Sequence, residues 1–265
     1  MTERTLEQIE EQYRVEKELA ARLQQASREE RRHLYSQVYD ELFRTIPHHP
    51  QLARKADQQA QLRAVQGHIR LLRNFLKPEH TFLEVGAGDC SLSLEVTKRV
   101  KQVYAIDVSE EVTKSIPQPL NFKLFISDGC SIPVPPNSVH LAYSNQLMEH
   151  LHVDDALEQL QNIYQALVPE GAYICITPNR LTGPHDISKY FDTTATGFHL
   201  KEYTTTELVS IFKAAGFSKF HTFIGTNKGF FLLLPVLPVI WIEALLGLMP
   251  RSLRKLLVRW FAIKP

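Results

Sequence analysis

A short segment, "FLEVGAGDC" at residues 82 to 90, holds residue types that could bind a nucleotide cofactor. Gly86 and Gly88 follow an apolar run, and they let a chain turn sharply against a ligand because they lack a Cβ. A dinucleotide site would carry a third glycine at position 91, where this chain has Ser91. The acidic Glu84 disfavours a pyrophosphate and suits the amino group of a methionine moiety.

Polar residues also end the next three apolar runs along the chain. Asp107 follows QVYAI, 19 residues after Gly88, where an acid can accept hydrogen bonds from both ribose hydroxyls. The third run ends in SDG at 127–129, and the fourth ends in SNQ at 144–146. Since ligands of open α/β sheets bind at the carboxyl ends of parallel strands, these endings together predict a nucleoside-binding cleft.

A parallel sheet is needed to bring these strand ends together. From residue 81 onward, apolar runs alternate with helical patterns, which predicts βαβ units and a sheet covered by helices on both faces. Helices are expected at about 90–100, 109–115 and 152–167. The predicted strands are TFLEV, QVYAID, FKLFIS, VHLAYS and AYICIT, and a later unit has the helix TTTELVSIFKAAG and the strand FSKFHTFIG.

The two ends of the chain have sequence patterns that differ from the alternating pattern of the middle. Before residue 77, amphipathic helical patterns cover about 3–30, the stretch RRHLYSQVYDELFRTI, and about 53–75. Residues 229–250 carry a single charge, Glu243, and a basic amphipathic helix is expected after them. We therefore predict three parts: a helical segment or lid at 1–76, a cofactor-binding domain at 77–226, and an apolar and basic extension at 227–265.

Composition limits the class of protein. The 265 residues with 44% hydrophobic content can form a substantial core. Thirty basic residues against 29 acidic ones argue against a nucleic-acid partner. Three cysteines without a CxxC pair predict a reduced, cytoplasmic protein. The first thirty residues lack the apolar region of a secretory signal, so we expect none.

Together these motifs resemble those of class I S-adenosylmethionine (SAM)-dependent methyltransferases, in the type 11 branch of small-molecule and quinone methyltransferases. The resemblance covers about residues 30 to 225 and rests on EVGAGDC, VYAIDVS, ISDGCSIPVPPNSVHLAYSNQLMEHL and LVPEGAYICITPN. It implies a Rossmann-like fold with a mostly parallel seven-stranded sheet, in which FFLLL is the antiparallel seventh strand. It also implies SAM as the cofactor and S-adenosylhomocysteine as its product.

The resemblance assigns roles to residues at the strand ends. It places Glu84 beside the methionine moiety, Asp107 on the ribose and Asp128 near the adenine. Quinone methyltransferases of this branch carry an ExxEH pattern associated with a divalent metal. The matching residues here are Gln146, Glu149 and His150, and because the first acid is absent we predict no metal. The predicted cofactor-binding residues are Glu84, Gly86, Ala87, Gly88, Asp107, Val108, Asp128, Gly129, Asn145 and Gln146.

The acceptor side is predicted less directly. A general base is needed only if the acceptor loses a proton during attack, as a hydroxyl does. The long segment 178–203, rich in His, Asp, Tyr and Lys, is expected to line the acceptor pocket, although its polar residues could instead cap a surface turn. The alternative for the residues after the fourth strand is that they only begin a helix. The predicted catalytic residues are His150, His185 and Glu149, and the predicted acceptor-binding residues are Tyr39, Asp186, Lys189, Tyr190 and His199.

We predict methyl transfer from SAM to a small-molecule or lipid-linked acceptor, with oxygen as the first choice. An RNA or protein methyltransferase and a non-catalytic SAM-fold scaffold remain open, although SNQL stands where an NPPY-like tetrapeptide would serve a nucleic-acid base. The extension allows membrane-surface contact, with the protein peripheral at the membrane, or capping of the domain, or a homodimer contact.

Overall fold

The computed structural model describes residues 4–50, 52, 57–110, 116–225, 231–251 and 253–254. The first two helices are α1 (Leu6–Gln25) and α2 (Arg28–Thr45), and each begins with a capping box in which the side chain before the helix accepts a backbone N–H. The new cap at Ser27 divides the single helix expected over 3–30. The third helix, α3 (Gln58–Leu72), follows residues 53–56, which lie outside the described residues.

Five parallel strands form the central sheet in the order β3-β2-β1-β4-β5. The chain runs outward from β1 to β3 and then returns to β4 on the other side of β1, so the order reverses beside β1. Ligands of open α/β sheets bind at this reversal, at the carboxyl ends of the strands. The strands are β1 (Thr81–Val85), β2 (Gln102–Asp107), β3 (Phe122–Ile126), β4 (Val139–Asn145) and β5 (Leu167–Ile176).

The predicted seven-stranded sheet is wrong in one respect. The last two strands, β6 (His221–Gly225) and β7 (Phe231–Pro235), pair antiparallel with each other and form a separate two-stranded ribbon. A groove of about 1,420 Å³ has residues of both β5 and the ribbon in its walls. The two ribbon strands pair their inner backbone groups with each other, and neither strand is hydrogen-bonded to β5 within the described residues.

Four more α-helices lie in the described part of the chain. They are α4 (Ser91–Val96), α5 (Val153–Ala166), α6 (Thr205–Ala214) and α7 (Val236–Gly247). The helix expected at 109–115 falls mostly on residues 111–115, outside the described residues. The apolar faces of α1 and α2 pack with α5 in one buried cluster, which includes Leu23, Val38 and Leu160.

Helix α7 keeps much of its apolar surface exposed. Trp241 is 72% exposed and Leu248, just after the helix, is 84% exposed. Within the described part of the chain, no helix has the length and apolar character needed to cross a membrane. The basic helix expected near the end of the chain falls mainly on 255–265, which lie outside the described residues.

Candidate functional site

A cavity of about 410 Å³ lies at the carboxyl ends of the central strands. We call the strand-end segments 84–91, 106–109, 127–131 and 143–147 its floor. Tyr35, Tyr39 and Phe43 of α2 face this floor across the cavity. We call α2, together with α1 and the segment 178–203 packed behind it, the roof.

The glycine loop of the floor is held by backbone hydrogen bonds. Gly86 and Gly88 have positive φ angles of 73° and 54°, which favour glycine. The amide of Gly88 donates to Oδ2 of Asp107 at 2.7 Å, and the amide of Ser109 donates to Oδ1 at 3.0 Å. A Cβ on Gly88 would meet no atom within 4 Å. The loop therefore borders open space beside a fixed carboxylate that can accept further hydrogen bonds.

Glu84 is buried below this loop. Ser93 donates its hydroxyl proton to Oε2 of Glu84 at 2.5 Å. Burial raises the pKa of Glu84 to about 8, against the smaller opposing effect of the Ser93 hydrogen bond. The carboxyl is therefore protonated at neutral pH, and an ammonium group placed beside it would favour its ionised form.

His150 reaches the cavity from the turn after β4. Its Nδ1 lies 2.9 Å from the carbonyl oxygen of Phe198, and since a carbonyl only accepts, Nδ1 carries the proton. Nε2 is thereby left as an acceptor. Burial lowers the pKa of His150 to about 3, so the ring is neutral at physiological pH. Tyr39 packs edge-on against both rings, with centroids 6.1 Å from His150 and 5.0 Å from Phe198.

Two further ionisable side chains lie behind His150. Glu149 is fully buried, and Thr177 donates its hydroxyl to Oε2 at 2.9 Å. Burial raises the pKa of Glu149. Nδ1 of His199 lies 2.8 Å from Oε1 of Glu202. Burial lowers the pKa of His199, but the hydrogen bond to Glu202 and nearby carboxylates raise it more, and the net pKa is above its usual value.

Comparison with known proteins identifies the domain. A methyltransferase domain model matches residues 83–175, which run from β1 to β5 and include the glycine loop and Asp107. The chain carries a class I SAM-dependent methyltransferase domain of type 11. An uncharacterised methyltransferase of Geobacillus kaustophilus is 28% identical over 171 residues, which cover 57% of this chain and 76% of that protein. A probable SAM-dependent methyltransferase of Mycolicibacterium smegmatis is 33% identical over 86 residues, covering 32% of this chain and 31% of that protein.

Solved structures share the fold of this methyltransferase. A SAM-dependent methyltransferase from Aquifex aeolicus superposes with a TM-score of 0.51 at 21% identity, covering 70% of this chain and 95% of that one. Phosphoethanolamine N-methyltransferase 1 of Haemonchus contortus, solved with phosphoethanolamine and S-adenosylhomocysteine, gives a TM-score of 0.51 at 17% identity and covers 70% of this chain and 40% of that one. The methyltransferase family model and the methyltransferase relatives confirm the predicted enzyme class and cofactor.

The floor of the methyltransferase has the features that SAM requires. The open space beside Gly88, the Asp107 carboxylate and the buried Glu84 lie around one cavity. Gly88 and Glu84 remain the predicted contacts of the methionine moiety of the cofactor, and Asp107 remains the predicted contact of its ribose. Most of the predicted cofactor set lines the cavity: Glu84, Gly86, Ala87, Gly88, Asp107, Val108, Gly129, Asn145 and Gln146.

Asp128 differs from the rest of the predicted cofactor set. Its carboxylate accepts the backbone amides of Cys130 and Ser131 at 3.0 and 2.7 Å, and it pairs with Arg32 at 3.1 Å. The side chain does not line the cavity, whereas Ser127 and Ser131 do. The structure thus shows Asp128 shaping the turn after β3.

Helix α3 supplies residues that the motifs did not indicate. Gln61 donates its amide to Asp89 and to Ser91, each at 2.7 Å, and so fastens α3 to the glycine loop. His68 and Tyr143 are joined by a 2.7 Å hydrogen bond and both line the cavity. The only signal for these residues was the amphipathic pattern of the helix, which indicates packing but not a ligand site.

Several predicted acceptor-side residues lie away from the cavity. His185 is exposed, and its Nε2 bonds to Thr182 and to the carbonyl of Asn179, which closes a turn. Lys189 and Tyr190 are exposed and contact each other. The cause is local, because the segment forms its own turns. Of the predicted catalytic and acceptor-binding residues, Tyr39 and His150 line the cavity, while Glu149 and His199 lie behind His150.

Asp186 has a structural role within the same segment. Its Oδ1 accepts the amide of Ser188 at 3.1 Å, and its Oδ2 accepts the amide of Gly197 at 2.9 Å. The carboxylate joins the two halves of the segment 178–203 and does not line the cavity. This arrangement corresponds to the turn-capping alternative for the residue.

Buried polar contacts hold the roof in place. Arg31 of α2 pairs with Asp155 of α5 through two hydrogen bonds of 2.5 and 2.9 Å, and the hydroxyl of Tyr35 donates to Asp155 at 2.7 Å. Glu16 of α1 accepts the amide of Phe198 at 3.1 Å. The segment 178–203 is therefore fixed against α1, and α2 is fixed over the floor.

Proposed function

We propose that the methyltransferase methylates a hydroxyl oxygen of a small-molecule or lipid-linked acceptor. SAM supplies a methyl group that is already activated by its sulfonium. The protein must then hold the acceptor oxygen in line with that methyl group, and positioning of this kind can supply much of a rate enhancement. The observation that carries the proposal is the orientation of His150 in the cavity.

The group that His150 presents to the cavity accepts hydrogen bonds. Nε2 of His150 is an acceptor because Nδ1 donates to the carbonyl oxygen of Phe198, and His150 lines the cavity. A hydroxyl fits this acceptor because it donates a proton while keeping lone pairs on the same oxygen. The oxygen can thus be held through its proton while it attacks.

The low pKa of His150 is compatible with accepting this proton. A neutral hydroxyl oxygen becomes a strongly acidic oxonium as its bond to the methyl group forms. The proton can then pass from oxygen to Nε2, even though His150 is a weak base with a pKa of about 3. The bond between sulfur and the methyl group breaks in the same step, and its electron pair stays on sulfur.

Two features support an acceptor with an apolar portion. Asn145 lines both the cavity and the larger groove beside β5, so the two spaces adjoin. Helix α7 begins with Val236, which lines this groove, and it exposes Leu237, Trp241 and Leu245. The sequence after α7 is rich in basic residues, which would suit anionic head groups: Arg251, Arg254, Lys255 and Arg259.

The proposal is tested with methyl-labelled SAM and a panel of hydroxyl and amine acceptors, with and without an apolar chain. Mass spectrometry locates the methyl group on the product. We expect O-methylation, and we expect His150→Gln to lower kcat by about a hundredfold. The matched control is His33→Gln, an exposed histidine on α2 that lines neither the cavity nor the groove, and it should retain full activity.

Other results would contradict parts of the proposal. Labelling on nitrogen alone would rule out the oxygen acceptor, and SAM binding without transfer to any acceptor would favour a scaffold. A loss of kcat in His185→Gln as large as that in His150→Gln would assign the catalytic role to the turn at 182–185. For the membrane surface, deletion of 251–265 should reduce co-sedimentation with anionic vesicles at low salt, and unchanged co-sedimentation would contradict that contact.

A further inference from the structure

We infer that Glu149, His150 and His199 form a binding site for one divalent transition-metal cation, with Zn²⁺ as its chemical match. One potential ligand atom from each of these side chains lies within 4.8 Å of the other two. Two imidazoles and one carboxylate are a ligand set that Zn²⁺ uses in catalytic sites, where a fourth position stays open. The site is on the acceptor side of the cavity because His150 lines it.

One carboxylate oxygen of Glu149 is available to a cation. Glu149 is fully buried, and its Oε1 has no hydrogen-bond partner among the described residues. A buried polar group left unsatisfied costs about 1–3 kcal/mol, and more when it is charged. A cation at this oxygen would remove that cost and stabilise the ionised carboxylate.

Each of the three side chains is already held by a second partner. Thr177 donates to Oε2 of Glu149, which leaves Oε1 for a cation. Nδ1 of His150 bonds to the carbonyl of Phe198, and Nδ1 of His199 bonds to the carboxylate of Glu202. Such outer contacts typically orient metal-binding histidines and fix the tautomer, so that Nε2 faces the metal.

The distances require only a small closure of the cluster. With bonds of about 2.1 Å, tetrahedral Zn²⁺ holds its ligand atoms about 3.4 Å apart. The atoms here lie within 4.8 Å, so movements of about 1 Å by each side chain suffice. The rings of His150 and His199 are nearly perpendicular, with centroids 4.9 Å apart. Their nitrogens can therefore approach one point without stacking of the rings.

The ligand set differs from the ExxEH pattern that guided the sequence prediction. Gln146 occupies the first position of that pattern, but its side chain is exposed and it lines the SAM cavity. The third ligand comes instead from His199, 49 residues after His150. The prediction of no metal rested on position 146 and could not anticipate a ligand from the segment 178–203.

The role of the cation deepens the proposed function and rests on it. The acceptor hydroxyl would bind at the open position, and coordination lowers the pKa of a bound hydroxyl. The proton of the hydroxyl leaves to solvent water. With the cation bound, His150 is a metal ligand and no longer the proton acceptor. Binding of the cation itself does not depend on the nature of the acceptor.

The test is a calorimetric titration of chelator-treated full-length protein with Zn²⁺. We expect one equivalent to bind, and Glu149→Gln and His199→Gln each to weaken binding by about a hundredfold or more. Thr177→Val, which removes an outer contact, should weaken it by about tenfold. His33→Gln removes an exposed histidine of α2 and is the matched control, with unchanged Zn²⁺ affinity expected.

A second measurement separates ligation from folding. His199→Cys should bind Co²⁺ with a new sulfur-to-metal absorption band, which a merely structural role would not produce. The absence of stoichiometric Zn²⁺ binding in the wild-type protein, or full retention of binding in both Glu149→Gln and His199→Gln, would overturn the inference. Methyl transfer without Zn²⁺ binding would overturn the site and keep the proposed function. Zn²⁺ binding without methyl transfer to any hydroxyl would keep the metal site and overturn the proposed function.

Discussion

The floor of the cavity and its roof are held by contacts of very different range. In the floor, Gly88 donates to Asp107 across 19 residues of chain. In the roof, the hydrogen bond of Tyr35 to Asp155 spans 120 residues, and that of Phe198 to Glu16 spans 182. The glycine loop of the floor is thus fixed by contacts that are near in sequence, whereas the roof exists only when distant segments have packed together.

This difference has a functional meaning. We propose that the floor binds SAM, a cofactor common to many enzymes, so its residue types recur at the ends of successive strands. The roof covers the proposed acceptor side, where specificity depends on the particular helices and loops attached to the sheet. Substitutions in the two regions should therefore separate SAM binding from stability and acceptor binding.

The largest expected effect is a loss of SAM affinity caused by a substitution in the floor. Asp107→Ala removes the carboxylate proposed for the ribose and should weaken SAM binding by about a thousandfold, since two charge-assisted hydrogen bonds are lost. Calorimetry measures the affinity, and thermal unfolding shows whether the fold persists. Asp154→Ala on α5, which is outside the cavity, should leave the affinity unchanged. Unchanged SAM affinity in Asp107→Ala would contradict the ribose contact.

The next largest effect is a loss of stability caused by a substitution in the roof. Arg31→Met leaves the buried Asp155 charge without its partner and should lower the free energy of unfolding by about 4 kcal/mol. Urea denaturation measures this change. Arg28→Met breaks an exposed pair with Glu158 and should cost less than about 1 kcal/mol. Equal losses in the two variants would show that α2 is not fastened mainly through Arg31.

The next prediction concerns the pH dependence of stability that arises from Glu84 in the floor. The folded-state pKa of Glu84 is raised to about 8, so its protonated form stabilises the fold at low pH, and this contribution is lost as the pH rises through about 8. Compared with Glu84→Gln, the wild-type protein should lose about 4 kcal/mol of unfolding free energy between pH 5 and pH 9. The exposed Glu79→Gln is the control and should show no such trend. A pH-independent difference would contradict the burial of the Glu84 carboxyl.

The smallest effect tests the segment 178–203. Asp186→Asn places amide donors against the backbone amides of Ser188 and Gly197, and it should lower the free energy of unfolding by about 2 kcal/mol with unchanged SAM affinity. Thr193→Ala on the exposed part of the same segment should change stability by less than about 0.5 kcal/mol. A raised acceptor KM at unchanged stability would instead support the predicted acceptor contact of Asp186.

The strands were predictable to within a few residues because their signal is local. The predicted TFLEV and QVYAID coincide with β1 and β2, and β5 begins five residues before the predicted AYICIT. The number of strands in the sheet was not predictable, since pairing of β7 with β6 alone or also with β5 depends on packing. Likewise, no pattern distinguished His185, which closes a turn, from His150, which lines the cavity.

The sequence by itself determined the cofactor class and predicted the edge of the sheet where SAM binds. Alternating runs specify the strands, and the residues that end them follow directly in the chain. Only the tertiary structure decided that Glu149 and His150 meet His199, and that α2 covers the cavity. These arrangements depend on burial and on hydrogen bonds between segments far apart in sequence. Their energy comes from packing of the whole chain, which no local period of residues encodes.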